Sequence, residues 1–140
     1  MTPREELVNV SLKWQQKFGV CPSITCAISE YDAALLVGML EAEYSDYMKD
    51  RTAVSKGHDF IFNNIRYQIK AHRPSGKKGS FITNAGKARN YDWDKLIWIR
   101  YDQNFNMLEA WCWDKNIYFD FFDQNKRISP ADMRKGIKLI

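Results

Sequence analysis

The clearest alternation of apolar and polar residues lies between positions 57 and 70 and predicts a tight β-hairpin. Residues 60–62 form a short apolar run, and the Asn-Asn pair at 63–64 predicts the turn. In the strand that follows the two classes alternate, so Gln68 and Lys70 are expected on one face. The opposite face carries Ile65, Tyr67 and Ile69. We interpret this hairpin as the scaffold around which the chain is arranged.

A first helix is predicted over residues 3–18, ahead of the hairpin. Thr2 is suited to cap it, Pro3 to occupy its first turn and Gly19 to end it. Its apolar residues recur at helical spacing and are expected to cover one face of the sheet. They are Leu7, Val10, Trp14 and Phe18.

A second helix is predicted from Ser29, as N-cap, to about Tyr47, with Asp32 completing a variant of the capping box. The residues before it, 24–28, suit either a short extended piece or the approach to the helix. Residues 49–56 are predicted to be a polar linker. The inward stripe of this helix is predicted to be Ala33, Leu36, Val37, Leu40 and Tyr44.

Glu30 and Glu41 fall close to that inward stripe. A carboxylate that leans toward an apolar face is costly unless it is paired or bound to a metal. Glu30 is therefore a candidate site residue, although a glutamate in a first turn also simply complements the helix dipole. The same alternatives apply to Glu41.

After the hairpin, the glycines and proline of residues 71–80 predict a flexible basic loop. The continuous apolar run within residues 94–101 predicts a strand buried on both faces, and residues 107–113 predict its neighbour. Tryptophans at this spacing are expected in the core. The aromatic segment 116–122 fits either a strand or a short helix. The predicted end of the chain is a helix opened by Ser129 and Pro130 and ended by Gly136, then a strand over 137–140.

Composition predicts one soluble domain over residues 1–140, with a net charge of +4. The chain has no apolar run long enough to span a membrane and no signal-peptide pattern, so we expect a cytoplasmic protein without a membrane partner. The odd cysteine count and the spacing of the cysteines support neither a disulfide framework nor a zinc site. They are Cys21, Cys26 and Cys112.

Charge is divided unevenly along the chain. Acids dominate residues 28–50, whereas residues 60–91 contain none. A basic tract beside an acidic one suggests phosphate on one side and metal on the other, although a solvated face balanced by its neighbour is the alternative. His72 is a weaker candidate for a ligand or phosphate contact. The basic residues of the second tract are Arg66, Lys70, Arg73, Lys77, Lys78, Lys87 and Arg89.

Three short motifs in order resemble the active-site signature of the PD-(D/E)XK nuclease superfamily. They are an acid near a helix start at Glu30, Gly-His-Asp at 57–59 opening a strand, and Tyr-Gln-Ile-Lys at 67–70 on the next strand. The resemblance implies an α/β, restriction endonuclease-like fold with a central mixed β-sheet flanked by helices. It implies hydrolysis of DNA phosphodiester bonds, with DNA as the partner.

The same resemblance implies a role for each site residue. Asp59 would be the main metal carboxylate, Glu30 would hold a metal directly or through water, and Lys70 would position or activate the attacking water. The implied cofactor is Mg²⁺, with Mn²⁺ as a substitute. Arg73, Lys77, Lys78, Lys87 and Arg89 would contact nucleic acid. A homodimer with one site per DNA strand is a natural expectation.

One residue departs from the signature. Gln68 occupies the position of the second acid, where its amide oxygen would complete the ligand set without adding negative charge. The departure leaves open a non-catalytic nucleic-acid-binding or assembly protein that retains the fold. A small interaction protein with no nucleic-acid role is a separate alternative.

Overall fold

A computed structural model describes residues 1–51 and 57–140. Within them a five-stranded sheet has the order β1-β2-β3-β4-β5, in which β2 and β3 are parallel and the other neighbours antiparallel. This confirms the predicted mixed α/β class and mixed sheet. The helices are α1 Pro3–Phe18, α2 Thr25–Leu36, α3 Glu41–Asp50, α4 Lys115–Phe122 and α5 Pro130–Met133. The strands are β1 Phe60–Phe62, β2 Ile65–His72, β3 Lys95–Tyr101, β4 Met107–Asp114 and β5 Ile137–Lys138.

The predicted hairpin is confirmed. Asn63 and Asn64 have φ values of 50° and 63°, the left-handed conformation that a two-residue type I′ turn requires at both positions. Asparagine tolerates this conformation better than most residues. The turn sets Phe60 opposite Tyr67. Strand β2 runs on to His72, so the first two residues of the predicted basic loop belong to the strand.

Strand β3 lies at the centre of the sheet and is buried on both faces, as its apolar run predicts. Leu96, Ile97, Trp98 and Ile99 are all 0 % exposed. It pairs in parallel with β2 and antiparallel with β4, which also forms as predicted. Residues 73–94 connect β2 to β3 without a helix or a strand. This connection is the basic loop and its continuation.

The sheet separates two apolar clusters. The first contains Tyr67 and Ile69 of β2 together with residues of α1 and α2. The second is largely aromatic and lies among the β2–β3 connection, β3, β4 and α4. The predicted burial of tryptophan is confirmed at the second cluster, which contains Trp93, Trp98 and Trp113. Trp14 of α1 is the exception because it is 53 % exposed.

Helix α1 has the predicted bounds but presents a different face to the core. Thr2 and Glu5 form a capping box, and Gly19 ends the helix with a φ of 87°. The buried residues are Val8 and Ser11. The stripe predicted to cover the sheet is exposed instead. It consists of Leu7, Val10, Trp14 and Phe18.

The single helix predicted from Ser29 to Tyr47 is wrong, because two helices, α2 and α3, occupy this region. Ser29 is no cap: it is buried inside α2, and its hydroxyl donates to the carbonyl of Cys26 at 3.1 Å. Gly38, with a φ of 101°, lies in the break. Leu40 of the predicted inward stripe is exposed.

The linker predicted over residues 49–56 begins too early, since α3 continues to Asp50. The rest of that prediction, residues 52–56, lies outside the described residues. Near the end of the chain, the ambiguous aromatic segment is the helix α4. Ser129 caps α5 as predicted, with its hydroxyl accepting the N–H of Asp132 at 3.1 Å. The final strand is shorter than predicted.

A buried ion pair joins α1, α2 and β3. Both carboxylate oxygens of Asp32 accept from the guanidinium of Arg4, at 2.7 and 2.8 Å. The buried hydroxyl of Tyr101 donates to the same carboxylate at 2.7 Å. Arg4 also donates to the carbonyl of Phe105 at 2.9 Å. This network determines how α1 and α2 lie against the sheet.

We expect Asp32→Ala to lower the free energy of unfolding by about 3 kcal/mol, because it leaves the half-buried Arg4 without its partner. Tyr101→Phe removes one hydrogen bond and should cost about 1 kcal/mol. Urea unfolding measures both. The exposed Asp46→Ala on α3 is the control and should stay within about 0.5 kcal/mol of wild type. An Asp32→Ala protein as stable as this control would contradict the assigned role of the network.

Candidate active site

Four residues singled out by sequence line one cleft at the side of the hairpin. Glu30 comes from α2, Asp59 immediately precedes β1, and Gln68 and Lys70 come from β2. The cleft has a volume of about 260 Å³. Its remaining lining residues are Thr25, Cys26, Ser29, Ile69 and Ala71. Side chains that are far apart in the sequence thus reach a common space.

The position of Asp59 follows from the shortness of β1. Pairing between β1 and β2 reaches only as far as Tyr67, whose carbonyl accepts the N–H of Asp59 at 2.7 Å. Beyond that point the carboxylate of Asp59 accepts the N–H of Ile69 at 2.7 Å. Since Ile69 lies between Gln68 and Lys70 in the strand, this bond holds the carboxylate beside both of them.

Arg51 supports the same segment from the end of α3. Its Nη1 atom donates to the carbonyl oxygen of Asp59 at 2.9 Å. The guanidinium is also close enough to Glu30 to lower its pKa in part. Arg51 therefore contributes a positive charge behind the two acids of the cleft.

The carboxyl groups of Glu30 and Asp59 both line the cleft and are close enough to influence each other's charge. Burial of Glu30 is the largest influence on its pKa, and the negative charge of Asp59 acts in the same direction. Together they raise the pKa of Glu30 to about 7. Bringing two acids together in a half-buried cleft is unfavourable unless a proton or a cation lies between them.

Lys70, on strand β2, is half-buried. Burial lowers the pKa of its ammonium group, and the positive charge of Arg89 lowers it further. The charge of Asp59 acts in the opposite direction. A lysine with a lowered pKa exchanges its proton more readily, and its desolvated charge interacts more strongly with an anion.

The carboxylate and amide oxygens of the cleft come from Glu30, Asp59 and Gln68, beside the hydroxyl-bearing residues Thr25 and Ser29. Within residues 1–51 and 57–140 no group of three or more His, Cys, Asp or Glu side chains gathers to hold a metal. Two carboxylates with one neutral oxygen suit Mg²⁺, which retains several waters and is commonly bound through one or two carboxylates and the phosphates of its substrate. They do not suit a metal that needs a full set of protein ligands.

Two weaker candidates lie elsewhere. Glu41 lines a groove with Pro3 and Tyr31, outside the cleft. His72 packs its ring against Trp98, with 6.4 Å between the ring centroids, and its Nε2 atom is enclosed without a hydrogen-bond partner in the described structure. Neither belongs to the set that lines the cleft.

The five basic residues predicted to contact nucleic acid differ in their surroundings. Arg73 is held in place: it donates to Gln15 and to the carbonyl of Gln103, and its guanidinium lies 4.5 Å from the ring centroid of Phe105. Lys87 donates to the carbonyl of Asp123. The remaining three are exposed, namely Lys77, Lys78 and Arg89.

Sequence reasoning missed part of the site. The N-cap predicted at Ser29 lies five residues after the N-cap of α2, Ile24, so Thr25 and Cys26 were not placed in the cleft. Proline at position 22 and the apolar residues at 24 and 28 are compatible with an earlier start. Arg51 carries no local signal, because its contact with Asp59 crosses the segment 52–56.

In comparisons with known proteins, no family model matches the chain and no curated protein is similar to it in sequence. Among the described residues, no helix has the length and apolar character needed to cross a membrane.

The acid pair predicts a pH dependence of stability. The pKa of Glu30 is raised from 4.5 to about 7, so the folded protein binds more protons than the unfolded chain between these values. The stabilising effect of that protonation is present below 4.5 and is lost as the pH rises through 7. Relative to Glu30→Gln, wild type should therefore lose stability across this window, as measured by urea unfolding at a series of pH values.

Asp59→Asn tests the cause of the shift. It removes the negative charge but retains a polar side chain of the same size, so the pKa of Glu30 should fall, with the effects of burial and of Arg51 remaining. Carbon NMR of labelled glutamate carboxyl groups measures this directly. An unchanged Glu30 titration would contradict the pairing of the two acids.

Proposed function

We propose that this chain is a metal-dependent endonuclease that hydrolyses DNA phosphodiester bonds, built as one PD-(D/E)XK nuclease-like domain of restriction or repair type. The observation that supports it is the convergence of Glu30, Asp59, Gln68 and Lys70 on one cleft. Their order along the chain resembles the signature of that superfamily, and the sheet and helices that carry them are compatible with its fold.

In this proposal the acids and the amide form the cation side of the cleft. Asp59 and Gln68 would hold Mg²⁺, or Mn²⁺ in its place, with Glu30 contributing directly or through water. When bound, such an ion polarises the scissile phosphate and lowers the pKa of a coordinated water. Binding also requires Glu30 to release its proton, so metal affinity should increase as the pH approaches and passes 7.

Lys70 would act on the phosphate side. Its half-buried ammonium group can stabilise the negative charge that increases on the phosphate oxygens in the transition state. Its lowered pKa also suits it to orient the attacking water and to exchange a proton with it. Asp59 fixes the backbone of β2 next to Lys70, so the acid and the cation keep a constant relation.

The β2–β3 connection would supply the contacts to the DNA backbone. Lys77 and Lys78 are exposed on it, and Arg89 is both exposed and close enough to Lys70 to lower its pKa. These charges would attract phosphate and bring the backbone toward the cleft.

A second candidate function is DNA binding without cleavage. The observation that favours it is Gln68. A glutamate at this position would give the cleft a third negative charge, and the glutamine does not. A protein with a weaker metal site and an intact basic loop would bind DNA without cutting it.

Incubation of supercoiled plasmid with the protein and Mg²⁺ or Mn²⁺ should produce nicked or linear DNA, and chelation by EDTA should prevent it. We expect Lys70→Ala to lower the cleavage rate by about 10²- to 10³-fold, because it removes a charge that stabilises the transition state. Asp59→Ala should lose metal-dependent cleavage. Agarose gels of a time course measure all three proteins.

Lys138→Ala is the matched control, since this exposed lysine lies on β5 at the opposite edge of the sheet. It should cut at the wild-type rate. Equal cleavage by wild type and the two cleft variants would remove the assignment of the cleft as the active site. Absence of cleavage together with salt-sensitive binding would select the non-catalytic alternative.

Replacing Lys77 and Lys78 by alanine should reduce the slope of log affinity against log salt by about 1 for each phosphate that the variant no longer neutralises. Arg73→Ala should instead mainly lower stability, because its guanidinium is committed to Gln15 and Gln103. Fluorescence anisotropy with a labelled duplex measures the slope. An unchanged slope in the double variant would contradict a role for the loop in backbone binding.

A further inference from the structure

The outer side of α1 is unusually apolar for a surface helix. Leu7, Val10, Trp14 and Phe18 are between 40 and 64 % exposed, and we call them the outer stripe. The stripe lies beside the buried face of α1 and not on it, because Val8 and Ser11 are the residues that the core covers. A continuous exposed patch with two large aromatic side chains is typical of an interaction surface.

We propose that the outer stripe pairs with the same stripe of a second copy of this chain, with the two α1 helices antiparallel about a two-fold axis. The proposal concerns association alone and stands independently of the proposed nuclease activity. Its occupant is a second copy because two charges that border the stripe near its ends, Glu6 and Lys17, are complementary to each other when the helix is reversed.

The self-complementarity rests on Glu6 and Lys17. Both are exposed, and their spacing along the helix corresponds to about three turns, so they lie on the same border of the stripe at opposite ends. In an antiparallel pair with its axis between residues 11 and 12, Glu6 of each copy meets Lys17 of the other. A parallel pair would instead place like charges together.

The same axis brings the apolar residues into proximity. Val10 of one copy lies about one residue along the helix from Trp14 of the other, and Leu7 lies about two residues from Phe18. The register that pairs the charges therefore also brings large side chains close to smaller ones, as packing between helices requires. A symmetric interface of this kind uses one surface patch twice and closes as a dimer.

The aromatic end of the stripe is already ordered in the single chain. The ring centroids of Trp14 and Phe18 are 4.6 Å apart, and the ammonium of Lys17 lies 5.8 Å from the Phe18 ring centroid. Side chains that are held before association lose less conformational entropy on binding. The patch extends to the exposed Val20 beyond the end of the helix.

Sedimentation equilibrium over a series of protein concentrations tests the proposal. Wild type should show a concentration-dependent monomer–dimer equilibrium, and Trp14→Glu should be a monomer throughout. Val10→Glu is a second disruptive variant for the case in which Trp14→Glu folds poorly, and circular dichroism checks both folds. Phe81→Glu, which also replaces an exposed aromatic residue, is the matched control and should dimerise like wild type.

A charge swap then tests the antiparallel register. Glu6→Lys or Lys17→Glu alone should weaken the dimer by roughly tenfold, because each change affects two symmetric contacts. The double variant Glu6→Lys with Lys17→Glu should restore it, and high salt should reduce all of these differences. Weaker association in both single variants with recovery in the double variant is the result expected only from this pairing.

Three outcomes would overturn the proposal. Wild type could remain a monomer at every concentration. A folded Val10→Glu protein could dimerise as strongly as wild type, which would place the contact elsewhere, such as the exposed apolar residues Phe121 and Ile137. A monomeric wild type that binds phosphatidylcholine and phosphatidylglycerol vesicles through the stripe would assign it to a lipid surface instead.

Discussion

The hydrogen bond from the N–H of Ile69 to the carboxylate of Asp59 is the contact on which the candidate site depends. It exists because the Asn63–Asn64 turn sets the register of the hairpin and because β1 ends its pairing at Tyr67. A register shifted by one residue would turn Gln68 and Lys70 toward the core and expose Ile69. One tight turn thereby determines which side chains surround the cleft.

The same constraint explains why the cleft can tolerate two acids. β2 is firmly positioned because β3 beside it is fully buried along its apolar run, so Asp59 cannot move away from Glu30 without breaking its hydrogen bonds to β2. Burial and the neighbouring charge of Asp59 instead raise the pKa of Glu30 to about 7, so that Glu30 retains a proton below that value. A rigid frame that concentrates negative charge is prepared to bind a cation, and the adjoining Lys70 and Arg89 add positive charge for an anion.

Local patterns were sufficient for the elements whose signals are themselves local. The Asn-Asn turn, the cap and proline of α1 and the continuous apolar run of β3 each depend on neighbouring residues, and each formed within a residue or two of its prediction. The break between α2 and α3 was missed because apolar spacing continues across Gly38. The four cleft residues were identified from motif order, whereas Arg51 reaches Asp59 through a contact that no local pattern encodes.

The face of α1 that turns inward could not be predicted from the spacing of apolar residues. The helix has two adjacent apolar faces, and its periodicity alone favours the one with the larger side chains. The choice is made by Arg4, which must reach Asp32 on α2 and the carbonyl of Phe105. An unpaired charge at such a half-buried position costs more than exposing part of a tryptophan. The polar network therefore leaves the outer stripe at the surface, where apolar residues remain available for a partner.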